Sequence, residues 1–181
     1  MQVTEEQDIS GYIAALTDTR MPVRREAVRQ LSLAGSVAIP SLIQALREAR
    51  NDDARWYIAV ALVGTGEAAV RPLLTAMHEQ KDPHFRRYAA AALGHIGNPA
   101  IDPLIAALPG ADRELRGFIA QALCRIGEPA LGALRLQLGS DDAVMRTCSE
   151  LILWQMGEAG IDAMVETYAA EDEGNRAPPA P

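Results

Sequence analysis

The sequence is poor in aromatic and sulfur side chains: two Trp, four Tyr, two Phe and two Cys in 181 residues. Scarce aromatics argue against a β-sandwich, whose core needs aromatic and β-branched residues, and an apolar fraction rich in alanine suits close-packed helices. Cys124 and Cys148 show no CxxC or other zinc-ligand spacing. They read as small core residues, and their low number fits a reducing cytoplasm. Basic charge is also short, with 17 Lys and Arg against 24 Asp and Glu and a net charge of −7. Nucleic acid is therefore not an expected partner. The opening MQVTEEQDIS has neither the basic region nor the apolar core of a signal peptide. No run of 18 residues is free of charges and helix breakers, so no membrane span is expected. Even the most apolar stretch, AAAALGHIGNPAIDPLIAAL at 89–108, is broken by Gly97, Asn98, Pro99 and Pro103, and reads as two helices and a turn.

What the sequence does have is a period. Glycines fall at Gly35, Gly66, Gly97, Gly127 and Gly157, at spacings of 31, 31, 30 and 30 residues. An arginine stands eleven residues before each: Arg24, Arg55, Arg86, Arg116 and Arg146. One position is always leucine (Leu31, Leu62, Leu93, Leu123, Leu153). Two others stay apolar: Ile39, Val70, Ile101, Leu131, Ile161, and Leu46, Met77, Leu108, Leu138, Tyr168. Such self-similarity marks a repeat architecture.

Each unit reads as two helices. Four residues before the arginine stands a capping side chain, Asn51, Asp82, Asp112 or Asp142, with Arg20 the exception. Apolar residues then recur at helical spacing, and the glycine is expected to end the helix in a left-handed conformation. A unit of about 30 residues cannot bury enough surface alone, so neighbours must stack. The expected fold is all-α, a right-handed α-solenoid of about five two-helix repeats in a single domain over 1–170. The repeats are expected at about 18–49, 50–80, 81–110, 111–140 and 141–170. Residues 8–18 mimic a lone second helix, a half-repeat cap, and 171–181 are expected to be a disordered tail.

The consensus, best seen in DPHFRRYAAAALGHIGNPAIDPLIAAL at 82–108, resembles HEAT-like repeats of the phycobilisome-lyase type over about residues 18–170. Such repeats serve in adaptors, chaperones, chromophore lyases and a few metalloenzymes, so the resemblance implies architecture more than activity. It implies that Arg24, Arg55, Arg86, Arg116 and Arg146 form a structural ladder bonding carbonyls or acids of adjacent units. The rival reading is a basic groove for an anionic ligand. Hydroxylases of this repeat type carry several His-Glu pairs around two irons. Here His78-Glu79 stands alone, so no metal or other cofactor is expected, and no catalytic residue is assigned. His95 shares its repeat position with Leu33, Gly64, Arg125 and Gln155, which marks a variable helix end.

Attention therefore falls on the surface where the repeats differ. Second helices usually line the concave face of an α-solenoid, and their outward side should present Gln44, Arg47, Arg71, Thr75 and His78, then Asp102, Ala106 and Leu136, then Asp162 and Glu166. That strip runs from basic through apolar to acidic and suits a protein or peptide of opposite gradient. Trp56, at a mostly polar repeat position, is a further candidate contact. Trp154 replaces small residues and is expected to cover the end of the core. Tyr57, Tyr88 and Phe118 are expected to stack as a ladder between first helices. The leading expectation is a non-catalytic scaffold or adaptor; the alternative, implied by the resemblance alone, is bilin lyase-like or chromophore-protein chaperone activity.

Overall fold

The computed structural model describes residues 2–175, with side chains over 8–170 and at Asp172; most of the expected tail, 176–181, lies outside the described residues. Eleven α-helices and no strand occur among the described residues. A lone helix α1 (Gln2–Ala15) precedes five pairs: α2 (Met21–Ala34) with α3 (Ile39–Glu48), α4 (Asp52–Gly64) with α5 (Val70–Glu79), α6 (Pro83–Ile96) with α7 (Ile101–Ala107), α8 (Arg113–Ile126) with α9 (Leu131–Leu136), and α10 (Ala143–Gln155) with α11 (Glu158–Asn175). First helices pack in the order α2, α4, α6, α8, α10, and second helices in the order α3, α5, α7, α9, α11. This is an α-solenoid. Two edges differ from expectation: α1 begins at Gln2, well before residue 8, and α11 continues to Asn175, so helix extends past residue 170.

The start and stop signals act as the repeat demands. Asn51, Asp82, Asp112 and Asp142 each accept a backbone N–H of their helix's first turn, satisfying donors that have no partner inside the helix. Arg20 makes no such bond at the start of α2, where Pro22 removes one donor instead. The five repeat glycines all take positive φ, from 58° at Gly35 to 82° at Gly97. At Gly35, Gly97 and Gly127 ψ lies between −132° and −141°. That positive φ is the left-handed conformation expected from the sequence, here with an extended ψ open essentially to glycine. It turns the chain into a short 3-10 turn that leads to the second helix.

The invariant leucine is the centre of every unit: Leu31, Leu62, Leu93, Leu123 and Leu153 are all completely buried. Around them one continuous core runs from Ile9 to Leu153. At the N-terminal end, α1 packs against α2 and α3 and buries Ile9 and Leu16, in the manner of a second helix.

The repeat arginines tie units together. Arg86 is 1% exposed. Its Nε donates to the carbonyls of Met77 (3.0 Å) and Gln80 (2.7 Å), at the end of the preceding α5. Its other nitrogens donate to Asp112 (2.9 and 3.1 Å) and Glu114 (3.1 Å), at the start of the following α8. One guanidinium thus fills carbonyl valences left open at a helix C-terminus and binds the acidic cap of the next unit. Arg116 makes the backward half of this pattern, donating to Leu108 (3.0 Å) and Pro109 (3.3 Å), and Arg146 donates to the carbonyl of Ser140. Arg24 makes the forward half, pairing with Asp53 while lying 4.6 Å from the Tyr57 ring centroid. Arg55 reaches only Asp52 of its own helix, at 3.2 Å, and its Nε is buried without a hydrogen-bond partner.

Asp112 is both cap and counter-ion, since it also accepts from Leu115 N at 2.8 Å. The Arg86 bonds, then the Leu115 N–H, hold its carboxyl at about 2, below the ordinary 3.8. Its contribution to stability is therefore complete above the ordinary carboxylate range and is lost as pH falls from about 3.8 towards 2.

This inequality among the arginines has a measurable consequence. Arg86→Ala strands two carbonyls and two acids, and is expected to cost about 3–5 kcal/mol in urea unfolding. Arg55→Ala removes one local ion pair and is expected to cost under about 1 kcal/mol. Equal losses at the two positions contradict the clamp geometry.

Candidate partner-binding surfaces

The second helices lie side by side and leave grooves between them. One groove of about 580 Å³ runs between α3 and α5, walled by Pro40, Ile43, Gln44, Arg47, Arg71 and Thr75 among others. Four of the residues singled out in the sequence, Gln44, Arg47, Arg71 and Thr75, are thus brought together. Their states differ. Arg47 is half-buried and paired with Glu79 of the next repeat at 2.7 Å, which also engages the glutamate of the His78-Glu79 pair. Gln44 donates to Glu48 one turn on. Arg71 is exposed, makes no ion pair among the described residues, and also borders the adjoining groove with Glu67, Val70, Pro99 and Pro103. His78, Asp102, Ala106 and Leu136 follow on α5, α7 and α9, all exposed, with Leu136 at 78%. On α11, Asp162 is exposed, and Glu166 is paired with Arg135 at 3.0 Å.

Trp56 does not join this strip. It belongs to a first helix, stands 53% exposed, and meets Tyr57 edge-on with centroids 4.7 Å apart. With Val60, Val63, Tyr88, His95 and Arg125 it lines a separate cavity of about 420 Å³ between first helices. The first-helix side holds an ionic cluster as well. Asp52 accepts from Arg55 and from Arg87 of the next repeat at 3.1 Å, with His84 Nδ1 3.9 Å away. Burial opposes the charge on Asp52, but Arg87 and Arg55 outweigh it and hold the carboxyl below its usual range. The paired carboxylates Asp52-Asp53 thus serve contacts between repeats, while Asn51 caps the helix.

Two expectations for aromatic side chains need correction. Tyr57, Tyr88 and Phe118 do not stack on one another among the described residues; Tyr57 lies under Arg24, and Tyr88 under Arg87 at 5.0 Å. Trp154 does not cover the core. It is 65% exposed: its repeat position faces the following unit, and no first helix follows α10 among the described residues.

Comparison with known families finds the repeat type. The family model for HEAT repeats matches residues 39–108, and that for the PBS lyase HEAT-like repeat matches residues 23–48. Over residues 23–108 the chain carries HEAT-like repeats. No curated protein matches it. HEAT repeats generally mediate protein interaction. Among the described residues no helix is long and apolar enough to cross a membrane.

Against that repeat pattern, the junction of the fourth and fifth HEAT repeats is irregular. α8 and α10 meet less closely than the other neighbouring first helices, and a cleft of about 460 Å³ opens between them. Its walls include Leu108, Arg116, Gly117, Ala120, Cys148 and Leu151. The cause lies in two repeat positions. Cys148 stands where earlier repeats place Tyr57, Tyr88 and Phe118, and Gly117 stands where they place Arg25, Trp56 and Arg87. Arg24 has a ring against it, whereas Arg116 faces only a thiol. Burial pushes the thiols of both Cys124 and Cys148 up from their ordinary range, which keeps them protonated and weakly nucleophilic at neutral pH. Cys148→Phe, which restores the aromatic, is expected to stabilise the chain by about 1 kcal/mol and raise Tm by a few degrees in calorimetry. A fall in Tm contradicts this origin of the cleft.

Proposed function

We propose that the chain is a non-catalytic scaffold that binds a protein or peptide segment along its second-helix face, centred on the groove between α3 and α5. The observation that carries the reading is Arg71. It is an exposed cation without an ion pair among the described residues, at the junction of two grooves walled largely by apolar side chains, with Glu67 on the second of them. An acidic side chain of an extended segment meets Arg71 there while apolar groups lie over Pro40, Ile43 and Pro72. Leu136 and Asp162 continue the strip toward the other end, so the segment's charge is expected to change from acidic to basic along its length.

The test is affinity capture from the native host, read by mass spectrometry, with wild type and Arg71→Glu side by side. The expected result is a partner recovered by wild type and reduced at least tenfold by the variant, with unchanged helical circular dichroism. Equal recovery by both overturns the assignment of the groove.

A further inference from the structure

The C-terminal end of the solenoid carries a second surface, formed by core positions that have lost their neighbour. The position of Ile39, Val70 and Ile101 is 3%, 2% and 8% exposed in the first three repeats, but Ile161 is 40% exposed. The position of Ile43, Leu74 and Ile105 is 8% exposed or less, but Val165 is 61% exposed. Trp154 completes the set. In earlier repeats its position meets the next first helix: Ser32 lies so close to Gly64 that a Cβ there would overlap the hydroxyl, and Cys124 reaches Ile152 O and Gln155. Trp154, Ile161 and Val165 therefore face the place a further helical pair would fill.

Charge decides what fits there. From Thr147 to Asn175 the sequence has seven acidic residues and neither lysine nor arginine. Glu158 and Asp162 stand exposed without an ion pair among the described residues. Glu166 already takes Arg135 of the neighbouring repeat, which shows an arginine at a core-facing position pairing with an acid of the next unit. A second copy would bring like charges face to face, which opposes self-association.

We infer that the surface of Trp154, Ile161 and Val165, rimmed by Glu158 and Asp162, binds an amphipathic helix of a partner protein whose apolar stripe is flanked by lysine and arginine. The helix lies where a sixth repeat would pack, with its apolar side chains at i, i+3 or i+4 and i+7 on the exposed core positions and its basic flanks on the acids. This surface lies apart from the groove around Arg71, and the two occupants bind independently.

The test selects helical peptides from a displayed random library on the full-length protein, with counter-selection on Val165→Glu. Val165 is already exposed, so this variant is expected to keep its fold, checked by circular dichroism. The expected result is enrichment of peptides with an apolar stripe and an excess of Lys and Arg, bound at least tenfold more weakly by Val165→Glu and equally well by Arg71→Glu. Binding in a Trp56→Phe background is expected to shift the emission of Trp154 to the blue and to weaken with salt. No enrichment, or enrichment of neutral or acidic peptides, overturns the inference. So does a wild-type dimer in sedimentation equilibrium that Val165→Glu makes monomeric, since a second copy then covers the face.

Discussion

The structure depends on contacts between units, because no unit of two short helices can be stable alone. Its invariant leucine lies in a core shared with neighbouring units, and helices of 6 to 14 residues in the middle repeats are too short to persist unaided. Apolar burial supplies most of the driving force but sets register weakly, since one face of Ala and Leu slides readily over another. The repeat arginine supplies register. At Arg86 a single buried guanidinium reads the end of one helix and the cap of another, and its geometry is satisfied at only one relative placement of three helices. Arg24, Arg116 and Arg146 make half of that contact and Arg55 makes neither half, so the junction of the third and fourth repeats is tied most firmly.

Much of this was legible in the sequence because a repeat reports each structural demand five times. The caps, the glycines and the buried leucines stand where the period puts them. What the period could not show was what happens where it fails. Trp154 reads as a core cover only if something lies beyond it; in the structure its position faces the empty side of the stack. Trp56 reads as a further contact, and the structure sets it on a cavity between first helices, apart from the second-helix grooves. In each case the missing information was the relation between elements rather than the character of one.

The departures from the repeat are also where interaction is expected. A regular solenoid interior uses the same residues in every unit and leaves little to distinguish one partner from another. Arg71 on the second-helix face and the Gly117 and Cys148 cleft are made by residues the repeat does not require, whereas Ile161 and Val165 are repeat core positions left exposed. At the N-terminal end α1 packs against α2 and α3, while Ile161 and Val165 remain exposed at the other end of the described helices, so the two ends are unlike.

The central claim is that Arg86 and Asp112 couple the third and fourth repeats rather than merely stabilising their own helices. A double-mutant cycle with Arg86→Leu, Asp112→Asn and the pair, measured by urea unfolding, addresses it directly. Coupling clearly above about 0.5 kcal/mol between the two sites is predicted for a buried guanidinium hydrogen-bonded to an exposed carboxylate. Additive losses, equal within about 0.5 kcal/mol to the sum of the single variants, would contradict it.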